Sequence, residues 1–336
     1  MRAGLAALFV ALAVVALDAQ APRRSSVVGA EERGVVIEQV LGALRDSYVG
    51  TDVVRKIEAE IRAHRTSGDY DRFSNPEQFV QALTRDLQAA SGDKHLAVEF
   101  SAEPVEHDSL DCQFVNVAVL GGNVGYIKFD AFQPPGRCGE TAAAAMSLVA
   151  DCRALIVDIR DNSGGDPIMV AFMASYFFAD PVHLDDIHER RTNVTVESWT
   201  LPFVPGRKFV GKPVFIVTSS RTFSAAEEFA YDLQMLKRAA IVGERSGGGA
   251  HPAVSREIDA HFQVSVPVAR YVNPLSRTNW EGKGVQPDVA AREAVAVQAA
   301  YRAALETVIG KTTAPKQRAA IERQIQALTA VIDEQP

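Results

Sequence analysis

The sequence predicts an α/β layered fold with a small N-terminal helical domain. Two observations carry this. First, a short buried strand, a turn and a helix recur along the chain: "ALIVDIR" runs into "DNSGGDP" and then "IMVAFMASYFF". "KPVFIVTSS" leads to a helix that starts near Ser224, and "AAIVGE" ends in "RSGGGAHP". Repeated strand–turn–helix units point to a layered α/β core. Second, residues 32–92 carry apolar side chains at helical spacing and no strand pattern. The 336 residues suit two domains, or one large domain with an appendage.

In chain order, residues 1–19 read as a signal peptide. Arg2 gives a positive start, Leu5 to Leu17 is an apolar run, and Asp18-Ala19-Gln20 offers a cleavage point. The run is short for a span of about 20 residues, with an uncleaved anchor as the alternative. The implied location is periplasmic or secreted, without stable membrane insertion after cleavage. Residues 32–92 form the N-terminal helical domain. Val35, Val36, Val40, Leu41 and Leu44 make one stripe, and Val54, Ile57 and Ile61 another. Ser74 or Asn75 caps a third helix with Pro76 in its first turn. Residues 93–290 form the core. "LAVEF", "QFVNVAVL" and "NVGYIKFDAF" read as strands, with Gly121-Gly122-Asn123 as a hairpin turn. The segment from His183 to Gly206 reads as a loop that shapes access. Residues 291–336 are two amphipathic C-terminal helices, the second suited to docking on a partner.

A net charge of −7 and the lack of a dense Lys/Arg run exclude a nucleic-acid surface. Cys112, Cys138 and Cys152 match no zinc spacing. They suit small buried hydrophobes, or a Cys138–Cys152 bridge in an oxidising compartment.

Sites in α/β sheets gather at the carboxyl ends of strands. Three such ends are marked here: Gly164-Gly165, Ser224 and Gly247-Gly248-Gly249. Glycine turns leave N–H groups free to face a phosphate or an oxyanion, although no dinucleotide or phosphate-loop spacing is present. Ser224 with Glu227, ahead of Phe229, Ala230 and Leu233, reads as a capping box or as a nucleophile. Among the histidines, His95 lies where the helical part meets the first strand. His251 lies beside the glycine turn, where Pro252 is expected to point it outward.

"SAAEEFAYDLQMLKRAAIVGERSGGG", "LIVDIRDNSGGDP" and "WEGKGVQPDV" together resemble the tail-specific, or C-terminal processing, serine peptidases. The resemblance covers roughly residues 93–290 and implies a crotonase/ClpP-like core. The lysine base of the best-known members falls on Gly249, and Arg245 nearby stays protonated. About a dozen residues separate "KHLAVEF" from "QFVNVAVL", so no PDZ domain fits between them. Both departures resemble the branch of the tricorn protease core and the interphotoreceptor retinoid-binding protein repeats.

That resemblance implies an exported serine peptidase acting on peptide or protein substrates. Ser224 would be the nucleophile, His95 the base and Glu281 an orienting or polarising carboxylate. The N–H groups of Gly165 and Ala225 would form the oxyanion hole. The residue expected to orient His95 falls on Lys94, whose charge would lower the histidine pKa. No metal or cofactor is implied, and oligomeric state is left open. The alternative is a non-catalytic carrier of hydrophobic ligands or peptides, resembling the retinoid-binding repeats.

Overall fold

The computed structural model describes residues 27–102 and 111–334, so the expected signal peptide at 1–19 lies outside the described residues. Three helices come first: α1 (Ala30–Ser47), α2 (Thr51–Thr66) and α3 (Pro76–Ser91). Asn75 caps α3 by accepting the Gln78 N–H at 2.9 Å, with Pro76 at the first helical position where its missing N–H costs nothing. Gly92 ends that helix in the left-handed region at φ 75°.

The remaining elements follow in order. They are β1 (Ala97–Phe100), β2 (Phe114–Leu120), β3 (Val124–Phe129), α4 (Pro135–Val149) and β4 (Ala154–Asp158). Next come α5 (Pro167–Ala174), β5 (His183–Glu189), β6 (Val194–Trp199), β7 (Val214–Thr218), α6 (Ala225–Met235) and β8 (Ala240–Gly243). Then β9 (Ala253–Glu257), β10 (Phe262–Pro267), β11 (Ala269–Val272), β12 (Val289–Ala290), α7 (Ala296–Ile309) and α8 (Pro315–Asp333) complete the chain.

The central sheet runs β12-β8-β7-β4-β3-β2; β2 and β3 pair antiparallel as a hairpin and the other pairs are parallel. Alternation along each strand feeds two cores. Leu155, Val157, Ile216 and Ile241 pack with α4, α5 and α6 on one face. Ala154, Ile156, Val217 and Val242 pack with α7 and α8 on the other. Burial on both faces explains why these strands read as unbroken apolar runs. The helices α1–α3 pack instead on the small sheet β1-β10-β9, through Leu41, Leu83 and Val264 among others.

Two expectations are corrected. Residues 183–199 are not a loop: β5 and β6 form an antiparallel pair, and β11 pairs with β5 on its other side. The disulfide joins Cys112 to Cys138, so neither is a free buried hydrophobe and the alternative Cys138–Cys152 bridge is not formed; Cys152 alone is free and buried. The β2–β3 hairpin is the reason. It folds Gln113 back to accept the Asp130 N–H at 3.0 Å, which brings residue 112 to the start of α4, where Cys138 lies. Among the described residues no helix is long and apolar enough to cross a membrane.

Candidate active site

Two neighbouring strand ends build the centre of the site. The turn after β7 is bonded to the turn after β4: Ser219 Oγ donates to the Arg160 carbonyl at 2.6 Å, and Thr222 Oγ1 to that of Ile159 at 2.9 Å. The Phe223 N–H donates to the Asn162 carbonyl at 3.0 Å. Ser224 follows with φ 54° and ψ −124°. An ordinary N-cap has an extended backbone with negative φ. A serine held at positive φ between strand and helix is a strained turn of the kind that lifts a nucleophile clear of its sheet. The capping-box geometry survives in one respect, because Glu227 Oε2 accepts the Ser224 N–H at 2.9 Å.

Glycine is required across from this turn. Gly164 has φ 109°, and a Cβ there would lie 2.7 Å from Ser224 Cβ and 3.0 Å from the Ala225 nitrogen. Asn162 fixes the glycine pair, accepting the Gly164 N–H through Oδ1 at 2.9 Å and donating to the Phe129 carbonyl at 3.0 Å. The N–H groups of Gly165 and Ala225 find no acceptor among the described residues. Ala225 is buried, where a backbone donor is rarely left so, whereas Gly165 is exposed.

Glu227 is buried and ties this turn to the third one. Besides the Ser224 N–H, it accepts from Ser246 Oγ at 2.5 Å and from the N–H groups of Gly248 and Gly249 at 2.6 and 2.8 Å. Burial raises its pKa, and these donors oppose that rise.

His95 stacks on Phe223, ring centroids 4.5 Å apart, and neither ring nitrogen has a hydrogen-bond partner. A Cβ at Gly249 would come within 2.3 Å of the Phe223 ring and 2.6 Å of His95 Cε1. The imidazole therefore occupies the space into which a side chain at position 249 would grow. The His95 pKa is lowered chiefly by burial; Asp93 opposes this and His251 adds to it. Lys94, expected to lower it, is not among the causes. Its Nζ turns away to the Gly247 carbonyl at 2.6 Å.

Asp93 was not singled out from the sequence, although it stands two residues before His95. It is buried. Oδ1 accepts the His95 backbone N–H at 3.0 Å and lies 3.9 Å from His95 Nδ1. Oδ2 meets His251 Nδ1 at 2.7 Å and the Tyr48 hydroxyl at 3.3 Å. His251 thus points inward, contrary to the expectation drawn from Pro252. Burial works against its charged form, but the Asp93 hydrogen bond and the Glu281 and Asp93 charges outweigh that and raise its pKa.

Glu281 stands 3.7 Å from His251 and accepts the Ala250 N–H at 2.5 Å. Burial, only partly offset by His251, raises its pKa to about 7. The structure brings Glu281 to His251 and Asp93, with no contact to His95. These three residues each offer a ligand atom within 4.8 Å of the others, which is metal-binding geometry. An imidazolium at His251 offsets one of the two carboxylates, that of Asp93, which it meets at 2.7 Å.

Chemically, the site offers a strained serine, two unpaired N–H groups beside it, and a buried imidazole with both nitrogens open. Comparison with known proteins fits this arrangement. Residues 6–119 match the N-terminal domain of peptidase S41 in eukaryotic IRBP. The carboxyl-terminal-processing peptidase 1 (chloroplastic) of Arabidopsis thaliana is 27% identical over 168 residues, 49% of this chain and 33% of the relative. Its peptidase 2 counterpart is 24% identical over 223 residues, 64% and 38% of the two chains. The chain thus spans about a third of the length of the curated relatives it matches. A crystal structure of a candidate peptidase from Parabacteroides merdae shares the fold, with a TM-score of 0.58 at 16% identity over 83% of this chain and 98% of the other. Residues 123–291, half of the chain and the part that carries Gly164-Gly165, Ser224 and Glu281, match peptidase family S41, and to that family the chain belongs.

Proposed function

We propose that the protein is an exported serine-type peptidase. The observation that carries this reading is the backbone of Ser224, at φ 54°, beside two N–H groups without acceptors. A helix cap alone does not need that strain.

In the proposed reaction Ser224 Oγ attacks the peptide carbonyl. His95 takes the serine proton and returns it to the leaving amine. The Gly165 and Ala225 N–H groups receive the negative charge that develops on the carbonyl oxygen; losing one such donor costs about 100- to 1000-fold in rate. Asp93 holds His95 by its backbone, taking the place that Lys94 cannot fill. Glu281 acts through His251 and Asp93 as a positioning residue. Export is supported by the leader at 1–19 and by the Cys112–Cys138 disulfide, which belongs to an oxidising compartment.

The match of residues 6–119 to a domain of IRBP keeps a second reading in play, a non-catalytic carrier. A fluorescent serine-reactive phosphonate separates the two. The peptidase becomes labelled at Ser224 and loses peptide cleavage in step. A chain that stays unlabelled and cleaves no peptide is a carrier. Mass spectrometry of exported protein tests the leader, with a start expected near Gln20; an intact Met1 would overturn export by cleavage.

A further inference from the structure

A second group of acids lies behind α6, outside the proposed reaction. Glu228 and Asp232, one helical turn apart, meet Asp185 of β5, and each of the three offers an oxygen within 4.8 Å of the others. Their relative exposures are 0%, 1% and 0%. Among the described residues one close donor reaches them: Asn273 Nδ2, 3.1 Å from Asp232 Oδ1. Both oxygens of Asp185, both of Glu228 and Oδ2 of Asp232 are enclosed and have no hydrogen-bond partner. The Tyr271 phenol faces Glu228 as a further, weaker donor.

Such exceptions are rare in folded proteins, and each uncompensated buried carboxylate costs several kcal/mol. Five enclosed oxygens, brought from a helix and a strand to one point, call for a positive partner. The donor set is all oxygen, which suits hard cations. Asn273 supports this arrangement from outside. Its Oδ1 accepts the Leu275 and Ser276 N–H groups at 3.1 and 3.2 Å, so its amide nitrogen must face Asp232. An outer amide that orients a carboxylate oxygen is a common companion of a metal ligand.

We propose that Asp185, Glu228 and Asp232 bind a hard divalent cation of the calcium or magnesium kind, which ties α6 to β5. The competing way to neutralise the group is protonation: burial and mutual repulsion raise Glu228 and Asp232 well above the carboxylate range and Asp185 to about 6. Nothing here depends on the role of Ser224.

The test uses the full chain after chelation and gel filtration at neutral pH. Adding calcium or magnesium is expected to raise the melting temperature saturably, with a stoichiometric ion found by elemental analysis. Glu228→Gln and Asp232→Asn should abolish the rise. Both should melt no lower than chelated wild type, because a neutral amide relieves the repulsion. Asp185→Asn, on the strand, replaces either variant if it fails to fold. His251→Ala should keep the rise, which separates this group from Asp93, His251 and Glu281. The proposal is overturned if neither cation shifts melting and no ion is bound, or if the rise survives in the Glu228 and Asp232 variants. It is equally overturned if wild type ignores both cations and loses stability steadily as the pH rises, the signature of protons in their place.

Discussion

Ser224 and Gly249 donate their backbone N–H groups to the same oxygen, Glu227 Oε2, at 2.9 and 2.8 Å. The turn that carries the serine and the glycine turn against His95 are therefore held at a fixed separation by one carboxylate. Glu227→Gln swaps an acceptor for a donor facing N–H groups. It should cost about 1–3 kcal/mol, the usual penalty for unsatisfied buried donors. Denaturant titration measures the loss. Phosphonate labelling of Ser224 should slow in the folded variant, and an unchanged labelling rate would show that Glu227 has no part in setting the turn.

Substitutions at Ser224 separate strain from chemistry. Ser224→Ala should remove peptide cleavage while melting near wild type, since it keeps the positive φ and the Glu227 contact to the backbone. Ser224→Gly should be equally inactive yet more stable by about 1 kcal/mol, because glycine accepts positive φ without penalty. Equal stability of the two variants would argue that the turn is unstrained.

The pH dependence has two parts with opposite signs. His95 acts as a base only when neutral, and burial lowers its pKa from 6.5, so activity should rise with pH through a midpoint below that value. His95→Ala should abolish the activity. If His251→Ala is inactive while His95→Ala keeps the wild-type profile, the two histidines have been assigned the wrong way round. Glu281 goes from 4.5 to about 7, so the folded state holds a proton that the unfolded chain releases. Its contribution to stability is present below pH 4.5 and is lost as the pH rises towards about 7. Melting curves of Glu281→Gln across that window should show a flatter profile than wild type.

The three cysteines should behave unequally. The Cys112–Cys138 bridge closes a loop across 26 positions, and replacing both residues by serine should cost about 3 kcal/mol on a chain-entropy account. Cys152 is free and buried, so a thiol reagent should leave it unmodified in the native protein and modify it on unfolding. Modification of Cys152 in the folded chain would contradict its burial.

The sequence discloses best what burial on both faces dictates. The runs "ALIVD", "VFIVT" and "AIVG" became β4, β7 and β8 because a covered parallel sheet admits little but apolar side chains. It discloses least where pairing partners are remote. In β5, "HLDDIHE" looks nothing like a strand, and its extended form comes from β6 and β11 on either side. At the site, Ser224, Gly164 and Gly165 were legible because turns between strand and helix leave glycine and serine at fixed places. Asp93 and its contact with His251 were not, because that contact joins residues 158 positions apart. Proline at 252 says how the chain bends there, and nothing about what awaits the side chain.

Asp93 follows α3 and Tyr48 caps α1; the Tyr48 hydroxyl bonds Asp93, and Asp93 reaches His251, which lies beyond the glycine turn of the core. On the proposed reading, acid–base chemistry is a property of this seam and of neither part alone. The first stretch of chain holds an imidazole without a serine, and the later stretch a serine without His95. Each is inert by itself, as the two components of an adhesive are before mixing. Two co-expressed fragments, broken between β1 and β2, should gain activity at a rate set by the product of their concentrations. Competence would then appear as a recombination event, with the kinetics of an encounter.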